Sequence, residues 1–327
     1  MEENLTEKEE MTENEYPSPA LYKRWFACII DIFLVLMVGF GLFSLSNMAV
    51  RSVPAYSQMI SERNEMQIET GLYDENNKLI SYVYEDDEVL TYPEKKNLLN
   101  TVIEKFYDNQ DYFTDDTYYQ EYQQRKKEYK NSSGSLIFVV DPNSSSLYIE
   151  GEYDAKDFFD FYCSEISGHL TSYLSLNSQY YSLTQTIFIV FIVQLVVWMF
   201  ISYLLFFFVM PLILKRGRKT VGMFMFKISL ANVQGLNLTM KEYLIRSAFV
   251  VFIGFFLDIA TCFIPLVVSI TMMHLSKAGQ DFFDYMSNTY VLDTSKKDIY
   301  LDYSEYLSRK GMTKTATLEN NDFIITK

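Results

Sequence analysis

Arg24-Trp25-Phe26-Ala27-Cys28-Ile29-Ile30-Asp31-Ile32-Phe33 opens the first long apolar run of this chain and then sets a carboxylate inside it. A charge within a membrane span has no water to solvate it, so such residues face a partner, a cavity or an ion path. What surrounds the stretch decides whether it is a span. Apolar residues of the 327-residue chain gather in Phe26 to Met48, Ile187 to Leu214 and Leu244 to Leu275. Each run reaches the roughly 20 residues that cross a bilayer. The first follows an acidic leader and is not closed by a small-residue cleavage site, so it reads as a retained helix, not a cleaved signal.

Charge gives the topology. The formal net charge is -14, and Arg51 to Leu183 alone holds 24 acidic against 11 basic residues. The connection from Lys215 to Arg246 is the reverse, with seven basic residues and only Glu242. Short basic loops stay in the cytoplasm. The expectation is a multi-pass plasma-membrane protein with a cytoplasmic N-terminus, Lys23 and Arg24 at the inner end of the first span, and Lys215-Arg216-Gly217-Arg218-Lys219 at re-entry. Cys28 and Cys262 sit in apolar runs and Cys163 stands alone between the spans, so no disulfide framework or zinc site is indicated.

The fold class expected is an α-helical integral membrane protein, a bundle of four or three transmembrane helices with a small α+β extracytoplasmic domain. Residues 1–20 read as a disordered cytoplasmic tail, 21–48 as the first helix, 49–185 as the outer domain and 186–214 as the second helix. A basic interfacial loop over 215–239, a pair of membrane helices over 240–280 and a cytoplasmic tail over 281–327 complete the chain. In the outer domain, alternation predicts strands over 66–73 and 78–85 about the turn Asp74-Glu75-Asn76-Asn77. Helices follow over 93–107 and 117–130, then a strand pair over 135–140 and 146–150, then a helix over 156–185 that runs into the second span.

Chemistry is scarce in that domain. His169 is its only histidine, and no nucleophile motif or phosphate-binding glycine loop is present. Glu85-Asp86-Asp87-Glu88 lacks the spacing and glycine of a calcium loop and reads as a solvated acidic turn. No cofactor or metal is indicated, and an enzyme is not expected. The tyrosine pairs Tyr118-Tyr119 and Tyr180-Tyr181 suit either a protein-binding surface or internal packing. The domain's net negative charge disfavours nucleic acid as a partner.

The second span carries Gln194 and closes at Pro211. After the basic stretch, 220–230 reads as an interfacial element on the inner leaflet, with a hairpin around Gln234-Gly235. Thr239 and Glu242 form a capping box. The apolar stretch that follows is too long for one span. It breaks near Leu257-Asp258-Ile259-Ala260 with Asp258 capping an outer turn, or kinks at Pro265.

Arg24 and Asp31 in the first helix, Gly222 behind the basic stretch, Arg246 in the third, and Gln280-Asp281-Phe282-Phe283-Asp284-Tyr285 after the last make a pattern that resembles the RDD family of membrane proteins. The resemblance covers about 20–48 and 186–293. It implies that Arg24, Asp31 and Asp284 are the family's arginine and two aspartates, with Gly222 and Gln280 as backbone or polar positions. The chain departs from the family at Phe283, where histidine is common, and at Met223, where lysine is usual. The expected charge network pairs Arg24 with Asp284 and Arg246 with Asp31. The expected function is a membrane scaffold or sensor that presents an extracytoplasmic partner-binding domain. The alternative, which the resemblance implies through antiport proposals for some members, is cation or proton transport along Asp31 and Gln194, in a homo-oligomer. The partners expected are the lipid bilayer, an extracytoplasmic protein and a second copy.

Overall fold

The computed structural model of the chain describes residues 16–109, 111–113, 115–261, 264–276 and 280–309. Residues 1–15 of the expected acidic tail, Cys262, and residues 310–327 of the expected C-terminal tail lie outside them. Over the described residues the fold is mostly helical, with two small antiparallel sheets and three helices long and apolar enough to cross a membrane. It divides into two units, Asn47–Ile192 and the union of Met1–Ser46 with Val193–Lys327.

Helix α1 (Leu21–Arg51) buries Arg24, Ala27, Asp31, Val35 and Gly39, one stripe at three- and four-residue spacing. Phe26, Ile29, Phe33, Met37 and Phe40 lie on its exposed face. The charges are inside and the apolar side chains outside, the arrangement lipid favours and water does not.

The Asn47–Ile192 unit begins with α2 (Pro54–Glu69) and α3 (Ile80–Asp86), which replace the two strands expected over 66–73 and 78–85. Alternation in Met66 to Tyr73 belongs to the last turn of a helix that Pro54 starts and Gly71, at φ +76°, follows. Only the turn survives from the expected hairpin, as an isolated bridge of Tyr73 to Leu79 with Asp74 Oδ1 accepting the Lys78 N–H at 2.7 Å. Helix α4 (Tyr92–Tyr107) starts where the Glu94 carboxylate takes the Thr91 N–H at 2.8 Å. It buries Leu99, Ile103, Phe106 and Tyr107, a single helical face. Helix α5 (Thr117–Glu128) and the hairpin of β1 (Phe138–Asp141) with β2 (Ser144–Glu150) follow, close to their expected places.

Helix α6 (Ala155–Glu165) packs Phe158, Phe161 and Tyr162 into the core, each such side chain contributing about 1.5–3 kcal/mol by burial. Glu165 is 1% exposed, and it accepts from Tyr107 Oη at 2.7 Å and from Arg125 Nε at 2.9 Å. The acidic run after α3 is a turn in which Asp87 Oδ1 accepts the Val89 N–H. The helix expected to run unbroken over 156–185 is interrupted at Asn177, whose backbone is extended. Its Oδ1 accepts the N–H groups of Gln179 and Tyr180 and so caps a new helix, a role asparagine suits.

That helix, α7 (Ser178–Ile213), spans 36 residues and passes Pro211 instead of ending there. A π turn over Leu205–Val209 precedes the proline and accommodates its missing N–H. Helix α7 packs on α1 where Ser202 Oγ donates to the Val35 carbonyl at 2.8 Å. Farther along, Gly39 brings the α1 backbone against Met199.

After Gly217, at φ +83°, come α8 (Val221–Met225) and β3 (Ile228–Ala231). All four residues of β3 are buried, so the segment expected to lie on the inner leaflet is largely interior. Phe224 and Met225 alone of its large apolar residues are well exposed. Helix α9 (Met240–Ala260) starts at the Thr239/Glu242 capping box and contains a π turn over Phe249–Gly254. Helix α10 (Ile264–Leu275) is separate, and Asp258 Oδ1 accepts the Leu266 N–H at 3.0 Å across the junction. It has 12 residues, short of a full span.

The chain then returns to the start of α1. Helix α11 (Phe282–Ser287) ends at Asn288, in the left-handed region, and β4 (Tyr290–Asp293) pairs antiparallel with β3, Ile228 opposite Asp293 and Ala231 opposite Tyr290. Lys23 Nζ meets Asp293 Oδ2 at 2.6 Å, and Tyr16 packs edge-on against Tyr300. Helix α12 (Tyr303–Arg309) is held to the basic loop by Arg216 and Glu305, 3.0 Å apart.

Candidate functional site

Two carboxylates organise the head of α1, and each is closed off by a different set of donors. Asp31 is 3% exposed, and its stripe on α1 faces the start of α8. Its Oδ1 accepts the Gly222 N–H at 2.8 Å and its Oδ2 accepts the Thr220 hydroxyl. Thr220 is the N-cap of α8, so the same oxygen accepts the Met223 N–H while its proton goes to Asp31. The carboxylate thereby takes over donors that a helix start leaves unpaired. Gly222 is required by the approach. A Cβ there would overlap the Ala27 carbonyl oxygen and come within 2.8 Å of its carbon.

Asp284, fully buried, divides its oxygens between two arginines. Oδ2 accepts from Arg24 Nη2 at 3.0 Å, and Oδ1 from Arg246 Nη2 and Nε at 2.8 and 3.1 Å. Thr289 Oγ1 adds a weaker donation at 3.3 Å. The expected pairing of Arg246 with Asp31 is therefore corrected. Arg246 lies one helix turn beyond Tyr243, on the face of α9 that meets α11, and Thr220 with Gly222 already fills both oxygens of Asp31.

Helix α11 is positioned for this by its own caps. Asp281 Oδ1 accepts the Asp284 N–H at 2.7 Å, and Gln280 Nε2 donates to the Thr289 carbonyl at 2.8 Å. Burial, followed by the neighbouring Asp284 carboxylate, raises the Asp281 carboxyl above its usual range, with Arg246 and Arg24 opposing. Phe283 and Met223, the two departures from the family pattern, are packing residues: Phe283 lies against Phe282, and Met223 joins a core with Ala27, Leu230 and Tyr243.

Two arginines thus gather around one buried carboxylate, and a glycine N–H meets the other. Residues 158–288 match the RDD family. The RDD region takes in Gly222, Arg246, Gln280 and Asp284, begins inside the Asn47–Ile192 unit, and stops short of Arg24 and Asp31. Geometry joins those two to it, since each is bonded to an RDD residue. Comparison with curated proteins and with solved structures gave no match.

Gln194 stays apart from both Asp31 and Asp284. Val35 lies opposite Ser202 and Gly39 opposite Met199, so α1 and α7 run antiparallel. Gln194 then stands about 18 Å along the axis from Asp31, at roughly 1.5 Å per residue. Among the described residues no hydrogen bond joins them. Thr220 was not among the expected site residues, although its place just before an apolar five-residue helix is an N-cap signal.

Proposed function

We propose that this RDD-family membrane protein is a plasma-membrane scaffold or sensor, with the N-terminus cytoplasmic and the acidic Asn47–Ile192 unit presented outside to a protein partner. One observation carries the reading. Two carboxylates within or beside the spans have both oxygens held by protein donors, Asp31 by Thr220 and Gly222, Asp284 by Arg24 and Arg246. An ion path needs a carboxylate that exchanges partners during the cycle, whereas these hold elements in place. The outward orientation rests on the seven basic residues of the Lys215–Arg246 connection against the 24 acidic residues of Arg51 to Leu183. The Asn47–Ile192 unit has its own aromatic core, as a presented module requires.

The test is a proteoliposome flux measurement beside a capture experiment, both on the full chain. The scaffold reading expects no cation-dependent proton movement and no difference between the parent and Asp31→Asn. It also expects cross-linking of a partner through the outer unit in membranes. Flux that Asp31→Asn abolishes would overturn it in favour of cation or proton antiport.

A further inference from the structure

A pocket of about 470 Å³ lies within the Asn47–Ile192 unit, where the end of α1, the side of α2 and the first apolar turns of α7 meet. Its lining contains Arg51 and Arg63 and no acidic residue. That composition is unexpected in a segment with 24 acids and 11 bases, where Lys78, Lys96, Arg125 and Lys126 all pair with carboxylates. Among the described residues the only hydrogen-bond partner of Arg63 is the neutral Asn64 Oδ1, at 2.8 Å from Nη2, and Arg51 has no ion pair. Two further polar atoms of the lining, Asn77 Oδ1 and Thr184 Oγ1, are buried with no hydrogen-bond partner among the described residues. The other wall is apolar, with Ile187, Phe188 and Phe191.

These features describe a ligand with a phosphate at one end and hydrocarbon at the other. Guanidinium groups bind phosphate oxygens in pairs of hydrogen bonds, and a buried hydroxyl and amide oxygen suit a headgroup that carries hydroxyls. Arg51 closes the last turn of α1, and Thr184 through Phe191 open the apolar part of α7, so the pocket has the polarity change of a membrane–water boundary built into its wall. We propose that it binds the headgroup of an anionic phospholipid, the phosphate held by Arg51 and Arg63 and an acyl chain lying along Ile187, Phe188 and Phe191. This site is independent of the partner-binding reading above and stands whether or not that reading does.

Native mass spectrometry of the full chain released from detergent tests it, with phosphatidylglycerol and phosphatidylcholine as paired probes. At least fivefold preference for phosphatidylglycerol is expected, falling to within twofold in Arg51→Gln/Arg63→Gln. Arg51→Gln alone, at the exposed end of α1, is the second variant should the pair disturb folding, and at least a twofold fall is expected from it. Equal retention of both lipids, or a preference unchanged in Arg51→Gln, overturns the proposal. Soluble glycerol 3-phosphate separates the two sources of a phosphate ester. Failure to displace the lipid at equal concentration supports the assignment, and complete displacement overturns it in favour of a soluble phosphate ester.

Discussion

Arg24 Nη2 stands 3.0 Å from Asp284 Oδ2, an ion pair that joins the first turn of the first membrane helix to a six-residue helix 260 positions later. Both side chains are buried, so removing either leaves a charge without its counter-ion. Arg24→Ala and Asp284→Ala are each expected to destabilise by on the order of 3 to 5 kcal/mol. Asp284→Ala is the worse of the two, because Arg246 is stranded as well. Unfolding of the detergent-solubilised chain, with the double variant, supplies the coupling energy. A cycle in which the two losses simply add sinks the pairing.

Gly222→Ala is expected to lose roughly 1 to 3 kcal/mol or more by overpacking, since the new methyl meets backbone, which cannot rotate away. Gly41 has nothing within 4 Å of an added Cβ, and Gly41→Ala is expected to be neutral or to stabilise by up to about 1 kcal/mol. Similar melting shifts for the two variants would remove the special place given to Gly222.

Asp31 is a hydrogen-bond acceptor before it is a charge. Asp31→Asn keeps an oxygen for the Gly222 N–H and is expected to cost about 1 kcal/mol, whereas Asp31→Leu strands both donors at about 1–3 kcal/mol each. Thermal unfolding of the pair reads this out. Equal losses would show that charge, not acceptance, is what the position supplies.

The Asp281 carboxyl is raised in the folded chain, by burial first and by Asp284 second. A raised acid binds its proton more tightly folded than unfolded. Its contribution to stability is therefore fully present below the ordinary carboxylate range and is lost as pH rises through the folded value. Asp281→Asn retains the acceptor for the Asp284 N–H and is expected to flatten that part of the stability–pH curve. Denaturant titrations at a series of acidic pH values measure the slope, and an unchanged slope in the variant contradicts the assignment.

In the Asn47–Ile192 unit, Glu165→Gln keeps an acceptor for Tyr107 and gives up the charge that Arg125 meets through Nε and Nη2. About 1–3 kcal/mol is expected, discounted because Arg125 is 23% exposed. Tyrosine near-ultraviolet circular dichroism reports it well, since Tyr107 stacks on Tyr122 at 4.9 Å and no tryptophan lies between residues 26 and 197.

Much of this is legible in the sequence. Long apolar runs marked α1, α7 and α9, and Thr239 with Glu242 marked where α9 begins, because span length and capping are local properties. The partner of Arg24 could be named from the order of the motif residues. The partners of Asp31 could not, since a backbone N–H such as that of Gly222 leaves no trace in a sequence and Thr220 is an ordinary residue in an ordinary place. Strands β3 and β4 escaped for a related reason. Each is four residues long and mostly buried, so neither alternates, and helices α9, α10 and α11 separate them. The strands expected over 66–73 and 78–85 failed because eight alternating residues at the end of a helix look like a strand when its start at Pro54 is overlooked.

The antiparallel pairing of β3 with β4, and the Asp284 beside it, also order events during synthesis. Arg24 and Arg246 leave the ribosome before the residue that neutralises them, and β3 before the strand that completes its sheet. A chain interrupted short of residue 284 has two guanidiniums without their carboxylate and an unpaired edge on β3. Neutralisation of both arginines and completion of the sheet thus wait for one and the same stretch, Asp284 to Asp293.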